Sequence, residues 1–374
     1  MIAVVGVLGL TGGIAQATLR GGGPKPPERP LALAVMDAVR QAPQVQGVSA
    51  QIHFTNRLLP AGSLPPGARS PLAAGADGHL WLNRDGRLRL DLTSQDGDAE
   101  IVSDGHRVTV YDGTSKTQYR FTLPSGAANA LNGAGLGAAS LMKVVGPLLD
   151  QVTISKPEPG TTAGRPSYTV RVAPKDDGGL LAAGELTWDA EKGVPLRAAV
   201  YAQDDEQPVL ELAVTEVAYG PVSDAQLAAR AHPGAKTVDV EPGGGTHAGA
   251  GHPAGAATGL DEARKALSFP LSAPDELAGL PRNEVRIAGD GAQKGALITY
   301  GKGLGSIVVF ERAKQDRPAL AGLPLPEVNV DGATGRELAT ALGTIVSFER
   351  DGVSYVVAGL VPPVSAENAA RGLR

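Results

Sequence analysis

This chain contains few of the residue patterns that nucleophilic or metal-dependent chemistry needs. The 374 residues include no cysteine, which excludes thiolate nucleophiles, disulfides, cysteine-ligated metals and the lipid-modified cysteine of a bacterial lipoprotein. No serine stands in a G-x-S-x-G elbow, and no H-E-x-x-H pair is present. The remaining candidates are six histidines, one run of carboxylates and one glycine-rich segment.

The histidines and carboxylates do not form a recognisable site in the sequence. Three histidines lie in strand-like sequence and three in a stretch rich in glycine, alanine and proline, in this order: His53, His79, His106, His232, His247 and His252. The last three could capture a metal weakly, but they lack the carboxylate or cysteine partners of a designed site. The run Asp204-Asp205-Glu206 falls in a polar loop. We therefore predict a non-enzymatic protein without cofactor or metal, although a catalytic site assembled from distant residues stays open.

The glycine-rich segment, Gly301-Lys302-Gly303-Leu304-Gly305, has the composition of a phosphate-binding loop. A dinucleotide fingerprint needs a strand before the glycines and a helix after them. Here the next residues, Ser306–Phe310, are typical of a strand. The segment is therefore predicted to be the turn of a β-hairpin.

The N-terminal segment has the features of membrane targeting. Ile2–Leu19 carries no charge and is mostly apolar, and about 18 such residues are the lower limit for a membrane-spanning helix. The segment contains Ala15-Gln16-Ala17, a pattern of the signal-peptidase kind. A buried N-terminal helix is the alternative, which the four glycines of the segment disfavour. We predict an extracytoplasmic protein that is membrane-anchored or secreted, with cleavage and anchoring both open.

Composition limits the classes of partner. Hydrophobic residues make up 42% of the chain, enough for globular domains, while 50 glycines and 29 prolines indicate irregular connections between them. Aromatic residues are only 4% and the net charge is −5. A surface that stacks or steers nucleic acid is therefore disfavoured.

Two hydrophobic periods predict the first folded part. Leu31–Gln46 has helical spacing, whereas the residues from Val48 to Pro124 alternate with the period of strands. After a Pro/Gly loop at 59–78, five alternating runs follow: His79–Asn83, Arg87–Leu92, Ala99–Ser103, Arg107–Tyr111 and Gln118–Leu123. Asp-Gly pairs separate the runs, which is typical of hairpins. The pattern predicts an antiparallel meander.

The rest of the chain predicts a helical insert, more meander and a second unit. Ala127–Val152 is apolar and rich in alanine and glycine, which indicates one or two loosely packed helices. Strands resume between Ser167 and Tyr219, and several strands with a C-terminal helix are predicted after residue 259. The predicted segments are a signal peptide or anchor (1–19), a Pro/Gly tether (20–30), a ligand-binding domain (31–231), a flexible linker (232–258) and a small α+β domain (259–374). The fold class is α+β: a curved antiparallel sheet, or open half-barrel, covered by helices, plus the smaller domain.

A sheet with one apolar concave face must cover that face, and loosely fitting helices would leave a cavity. The candidate cavity residues are the apolar members of the strands and of the insert: Leu88, Leu90, Leu92, Tyr119, Phe121, Leu136, Leu141, Met142, Val145, Leu148 and Trp188. Apolar periodicity reports burial and not emptiness, so a closed core is the alternative. Arg87 and Arg89 alternate with the leucines. They are expected on a solvated sheet surface, with contact to a lipid headgroup as the alternative.

Four blocks of sequence carry a resemblance to a known kind of protein. They are VQGVSAQ at 45–51, GHLWL at 78–82 with RLRLD at 87–91, SDGHRVTVYD at 103–112, and GELTWD at 184–189 with GVPLR at 193–197. In this arrangement they resemble the LolA-like carriers of bacterial lipoproteins and the N-terminal domain of the RseB/MucB regulators. The long loop at 59–78 and the extension after residue 259 depart from the single-domain carriers. Near the C terminus, residues 355–361 and 366–373 resemble a small extracytoplasmic domain found on membrane-anchored proteins of Gram-positive bacteria.

The resemblance implies one of two binding functions. The first is a carrier that holds the acyl chains of a lipid or lipoprotein in an apolar cavity, with the insert at 127–152 as a lid. The second is an RseB-like regulatory sensor that binds a membrane partner such as an anti-sigma factor. Neither function needs a reactive side chain, which agrees with the residues present.

Overall fold

The computed structural model describes residues 23–59, 70–123, 151–175, 179–240, 259–289, 291, 294–315, 319–320 and 325–374. The chain divides into two compact units. The first unit consists of Met1–Lys175 and Ala182–Pro242, and the second of Asp176–Leu181 and Gly243–Arg374.

The first unit begins with a proline-rich stretch and a helix. Helix α1 spans Leu31–Gln41 and is followed by a short 3-10 helix over Ala42–Gln44. The α-helix ends earlier than the predicted Gln46 because Pro43 has no N–H for the helical ladder and its ring opposes the preceding turn. Residues 23–30 form neither helix nor strand, as expected of the tether. They are nevertheless held, since Tyr168 Oη donates to Pro27 O at 2.6 Å and Thr161 Oγ1 to Pro24 O at 3.2 Å.

Among the described residues of this unit, thirteen strands form one sheet. Their bounds are β1 Gly47–Asn56, β2 Ala76–Asn83, β3 Leu88–Ser94, β4 Gly97–Ser103, β5 Arg107–Asp112, β6 Thr117–Thr122, β7 Val152–Ile154, β8 Glu158–Thr162, β9 Arg165–Pro174, β10 Leu181–Asp189, β11 Pro195–Ala202, β12 Leu210–Tyr219 and β13 Lys236–Val240. The order is β13-β6-β5-β4-β3-β2-β1-β12-β11-β10-β9-β7, and β8 also pairs with β9. Strands β1 to β6 form the predicted antiparallel meander. The α+β class with a curved antiparallel sheet is confirmed.

Two parts of the unit differ from the sequence expectations. Two short helices, α2 at Pro71–Ala74 and α3 at Asp224–Leu227, were not predicted. Residues 236–240, assigned to a flexible linker, instead form β13, which pairs in parallel with β6. The alternation of Val238 and Val240 with polar residues suits this strand, but only the free edge of β6 gives it a partner. The predicted helical insert lies outside the described residues, apart from residues 151–152.

The second unit is a smaller sheet with helices. Its elements are α4 Leu260–Ala266, β14 Glu276–Leu277, β15 Leu280–Ala288, β16 Gly295–Tyr300, β17 Ile307–Ala313, β18 Glu327–Val330, β19 Ala333–Thr340, β20 Gly343–Arg350, β21 Val353–Gly359 and α5 Pro363–Gly372. The strand order is β14-β15-β16-β17-β21-β20-β19-β18. Alanines 366, 369 and 370 of α5 are buried in its core. The glycine-rich segment at 301–305 connects the antiparallel pair β16 and β17, which confirms the predicted hairpin turn.

Candidate ligand-binding face

Two rows of side chains, apolar except for Ser103, cross the meander on one face of the sheet. Residues paired directly across neighbouring strands point to the same side. The first row is Ala50, Leu80, Leu90, Ile101, Val110, Tyr119 and Val238, and the second is Val48, Leu82, Leu88, Ser103, Val108, Phe121 and Val240. We call these two rows the apolar face. It is continuous from β1 to β13.

The apolar face changes from a packed core to a half-open surface along its length. At the β1 and β2 end, all four members of the rows are buried in a hydrophobic core with Leu196 and Val214. Across β3 to β6 and β13, Ser103 and Val110 are buried. The other eight members are half-buried: Leu88, Leu90, Ile101, Val108, Tyr119, Phe121, Val238 and Val240. An apolar ligand would therefore find its contact area at the β3–β13 end.

The structure brings together four of the predicted cavity residues, namely Leu88, Leu90, Tyr119 and Phe121, on this face. Leu92 points to the same side but is buried opposite Gly78. A Cβ on Gly78 would lie 2.2 Å from Asp91 O and 2.9 Å from Leu92 Cδ2, so Leu92 packs directly over this glycine. The predicted lid residues Leu136, Leu141, Met142, Val145 and Leu148 lie outside the described residues.

Trp188 belongs to a different cluster from the apolar face. It packs with Tyr168, at 5.9 Å between ring centroids, and with the buried Ala34 and Ala38 of α1. This cluster seats α1 on strands β9 and β10. The structure thus gives Trp188 a packing role beside the helix.

Several members of the face were missed by sequence reasoning. Ile101, Val108 and Val110 lie in runs that were predicted as strands, so their alternation was a usable signal. Val238 and Val240 were missed because their segment was assigned to the linker. Parallel pairing with a distant strand edge leaves no local signal.

The opposite face of the same strands carries a charged cluster, and it corrects the expectation for Arg89. The Arg89 guanidinium is buried rather than solvated: Nε lies 2.9 Å from Asp91 Oδ1 and 3.3 Å from Glu100 Oε1. Nη1 donates to Ala228 O at 2.7 Å. Residues 228–232 cover the cluster, so Arg89 is not available to a lipid headgroup. Arg87 is half-exposed and pairs with Asp224.

His232 completes this cluster. Its Nε2 lies 2.7 Å from Glu100 Oε2, and its ring stacks on Tyr111 with 3.5 Å between centroids. Arg230 N donates to Glu100 Oε1 at 2.9 Å. We call residues 228–235 the strap. It crosses the polar face and delivers β13 to the edge of β6, so a histidine assigned to a flexible linker is a structural contact.

A second charged network joins the two halves of the fourth motif block, at 184–189 and 193–197. Arg197 Nη1 donates to Glu185 Oε2 at 2.7 Å, Nε to Glu211 Oε1 at 3.2 Å and Nη2 to Tyr201 Oη at 2.8 Å. Burial raises the pKa of the enclosed Glu211 carboxyl to about 8, although Arg197 opposes this. Burial also acts to raise the pKa of Glu185, but hydrogen bonds from Arg197 and Arg171 lower it overall. One guanidinium thus ties together β10, β11 and β12.

The turn between β10 and β11 is fixed by Asp189. This buried carboxylate accepts from Arg165 Nε and Tyr219 Oη, both at 2.8 Å, and from the backbone N–H groups of Glu191 and Lys192. All its partners are structural groups of neighbouring strands and of the turn itself. The motif blocks at 184–197 therefore specify a rigid hairpin.

Neither a metal centre nor a membrane-spanning helix stands out in the described ranges. No group of three or more histidine or carboxylate side chains there is placed to hold a metal ion. No helix among the described residues is both long enough and apolar enough to cross a bilayer.

Comparisons with known proteins give likenesses of structure only. No family model matches the chain, and no curated protein matches it in sequence. The complex of MucA and MucB from Pseudomonas aeruginosa is similar over 91% of this chain and 96% of that chain, with 18% identity and a TM-score of 0.44. The structure of MucB alone is similar over 92% of this chain and 97% of that chain, with 17% identity and a TM-score of 0.40. A LolA superfamily protein from Nitrosomonas europaea covers 52% of this chain and 97% of its own, with 9% identity and a TM-score of 0.22.

These are the two kinds of protein that the sequence blocks resemble. The MucB matches extend over most of this chain, whereas the LolA superfamily match covers about half of it. The resemblance of the C-terminal part to a small domain of Gram-positive proteins stays a prediction.

Proposed function

We propose that this chain is an extracytoplasmic binding protein that holds an acyl chain of a lipid or lipoprotein on the apolar face. The observation that carries the proposal is the row of half-buried apolar side chains across β3 to β6 and β13. Their partners on the same face, at the β1 end, are fully packed. The half-buried rows across β3 to β6 and β13 therefore continue the packed core at the β1 end.

Acyl chains suit this face energetically. Burial of hydrocarbon contributes about 0.8 kcal/mol for each CH2 group, so one or two chains give useful affinity without a reactive group. The strands are about 4.8 Å apart. The rows from β3 to β13 therefore extend roughly 19 Å, which accommodates the greater part of an acyl chain. The rows also lack charged side chains, so a carboxylate or phosphate headgroup would stay outside them.

The extracytoplasmic location rests on the uncharged segment Ile2–Leu19. A reporter protein that is active only in the cytoplasm, fused after Arg374, is expected to be silent. A strongly active reporter would contradict the location.

Native mass spectrometry of the purified full chain, followed by lipid extraction, tests the ligand. We expect co-purified acyl species. A membrane protein that co-purifies without lipid would instead favour the regulatory function implied by the RseB resemblance, and would contradict the carrier.

Two neighbouring positions offer a matched pair of variants. Ile101 and Val102 are both half-buried in β4 but point to opposite faces. Ile101→Gln is expected to weaken binding of a fluorescent fatty acid severalfold, whereas Val102→Gln leaves it unchanged. Equal effects of the two substitutions would show that the apolar face is not the binding site.

A further inference from the structure

Helix α1 carries an apolar stripe on the side that points away from the sheet. Four large hydrophobic side chains are exposed among the described residues, and three belong to this helix: Leu33 at 49%, Met36 at 55% and Val39 at 39%. At 100° per residue these three positions fall within an arc of about 120°. We call Leu33, Met36 and Val39 the outer stripe.

The outer stripe is not the result of a loosely held helix. Ala34 and Ala38, on the opposite side, are buried against Tyr168 and Trp188. A surface helix of a globular protein is normally polar on its outer side. Helix α1 instead carries large apolar side chains on its outer side as well, and these are available to another apolar surface.

The charges near the outer stripe do not oppose a lipid surface. Asp37 is the only acidic residue of α1, and Arg29 neutralises it with Nη1 2.5 Å from Oδ2. Arg40 lies within the arc of the outer stripe; its Nη1 is 3.7 Å from Asp37 Oδ1, and its side chain is nevertheless 66% exposed. A long arginine side chain can lie along apolar surface and place its charge among anionic headgroups.

Only a short stretch of chain separates α1 from the uncharged N-terminal segment. The hydrogen bonds to Pro24 O and Pro27 O fix residues 23–30 along β8 and β9. Gly23 follows Leu19, the last residue of the uncharged segment, by four positions. Eight residues from Gly23 to Leu31 reach at most about 28 Å when fully extended. Helix α1 therefore begins within that distance of the point where the N-terminal segment reaches the folded unit, and the outer stripe starts two residues later.

We propose that the outer stripe lies on the surface of the membrane that holds Ile2–Leu19, with Leu33, Met36 and Val39 in the headgroup region. Three apolar side chains alone would bind a bilayer weakly. A short tether to a segment in the same bilayer makes this contact intramolecular and raises its effective concentration. The proposal requires that Ile2–Leu19 stay in the membrane. It does not depend on an acyl ligand at the apolar face.

The absence of cysteine allows a direct test with single labels. The full chain with Met36→Cys, labelled with an environment-sensitive fluorophore, is reconstituted into vesicles of phosphatidylcholine and phosphatidylglycerol. Lipids that carry a spin label near the headgroup are expected to quench this probe severalfold more than a probe at Val364→Cys. Val364 is the matched control because it is 61% exposed, apolar and on helix α5.

Two outcomes would overturn the proposal. The first is that iodide in solution quenches the probe at position 36 and the spin-labelled lipid does not. This result would show that the outer stripe is exposed to water. A probe shielded from both quenchers would show that the N-terminal segment or a second copy covers it. Leu33→Ser combined with Met36→Cys should reduce quenching by lipid and leave fatty-acid binding unchanged. If the parent chain binds no fatty acid, that result contradicts the proposed function but not the contact of the outer stripe with the membrane.

Discussion

Gly193, in the turn between β10 and β11, lies directly against Ala38 of helix α1. A Cβ on Gly193 would be 2.2 Å from Ala38 O and 2.7 Å from Ala38 Cα. The φ angle of Gly193 is 66°, in the left-handed region that favours glycine. The turn of the 184–197 hairpin and the helix can pack together only because this position has no side chain.

Gly193→Ala is therefore expected to destabilise the first unit by about 2–4 kcal/mol, since it adds both backbone strain and a clash with helix backbone. Urea unfolding measures the effect. Gly164→Ala is the matched control, because Gly164 also has a positive φ of 71° but nothing lies within 4 Å of its added Cβ. A loss no larger than that of the control would contradict the close packing of α1 on the turn.

The meander was predictable because its signals are local. Leu88 and Leu90 alternate with arginines, and the Asp-Gly turns fix the ends of the strands, so the strands and one side of the face follow from spacing alone. Pairing then brings Leu90 beside Leu80 and Ile101 without further information.

The contacts that were not predictable join residues distant in sequence. From the sequence, Arg89 is predicted to be solvated. The alternation of residues indicates the side of the strand on which Arg89 lies, but it does not indicate that the strap covers that side. The strap lies about 140 residues later, and Val238 pairs with Tyr119 across a similar separation. Trp188 is predicted from the sequence to line the cavity because the sequence shows only that it is apolar. The sequence does not show which of the two apolar clusters surrounds it.

Removal of the His232 side chain should loosen the strap and the strand that follows it. His232→Ala eliminates both the contact with Glu100 and the stacking on Tyr111, so β13 loses part of what holds it to β6. Hydrogen exchange of the amides at 236–240 is expected to accelerate, with exchange in β1 unchanged. His106→Ala, at an exposed position, is the control. Unchanged exchange at 236–240 would show that the strap does not hold β13.

The second unit should lose stability as the pH rises from about 4.5 to about 8. Burial raises the pKa of the fully buried Glu311 carboxyl from 4.5 to about 8, although a hydrogen bond from Ser272 N opposes this. Between these values the folded state holds a proton that the unfolded state releases. The free energy of unfolding therefore falls with pH, by at most about 1.4 kcal/mol per pH unit.

Glu311→Gln should reduce this dependence and make the second unit more stable at pH 8 relative to the parent chain; Glu337, whose pKa burial also raises, keeps a smaller part of it. Thermal unfolding at a series of pH values measures it. Glu262→Gln makes the same chemical change at an exposed position of α4 and should preserve the slope. A slope as steep in Glu311→Gln as in the parent chain would assign the proton to another group.

Arg197 should be far less replaceable than Arg171, although both bind Glu185. The Arg197 guanidinium is buried and donates to Glu185, Glu211 and Tyr201 from three different nitrogens. Lysine has a single nitrogen and cannot reach all three acceptors, so Arg197→Lys leaves buried polar groups unpaired and should cost about 3–5 kcal/mol. Arg171 is exposed; it donates to Glu185 Oε1 at 2.9 Å, and its guanidinium lies 4.9 Å from the centroid of the Tyr201 ring. Arg171→Lys should cost less than about 1 kcal/mol in the same urea unfolding experiment. Similar losses for the two variants would contradict the role of Arg197 as the shared donor of β10, β11 and β12.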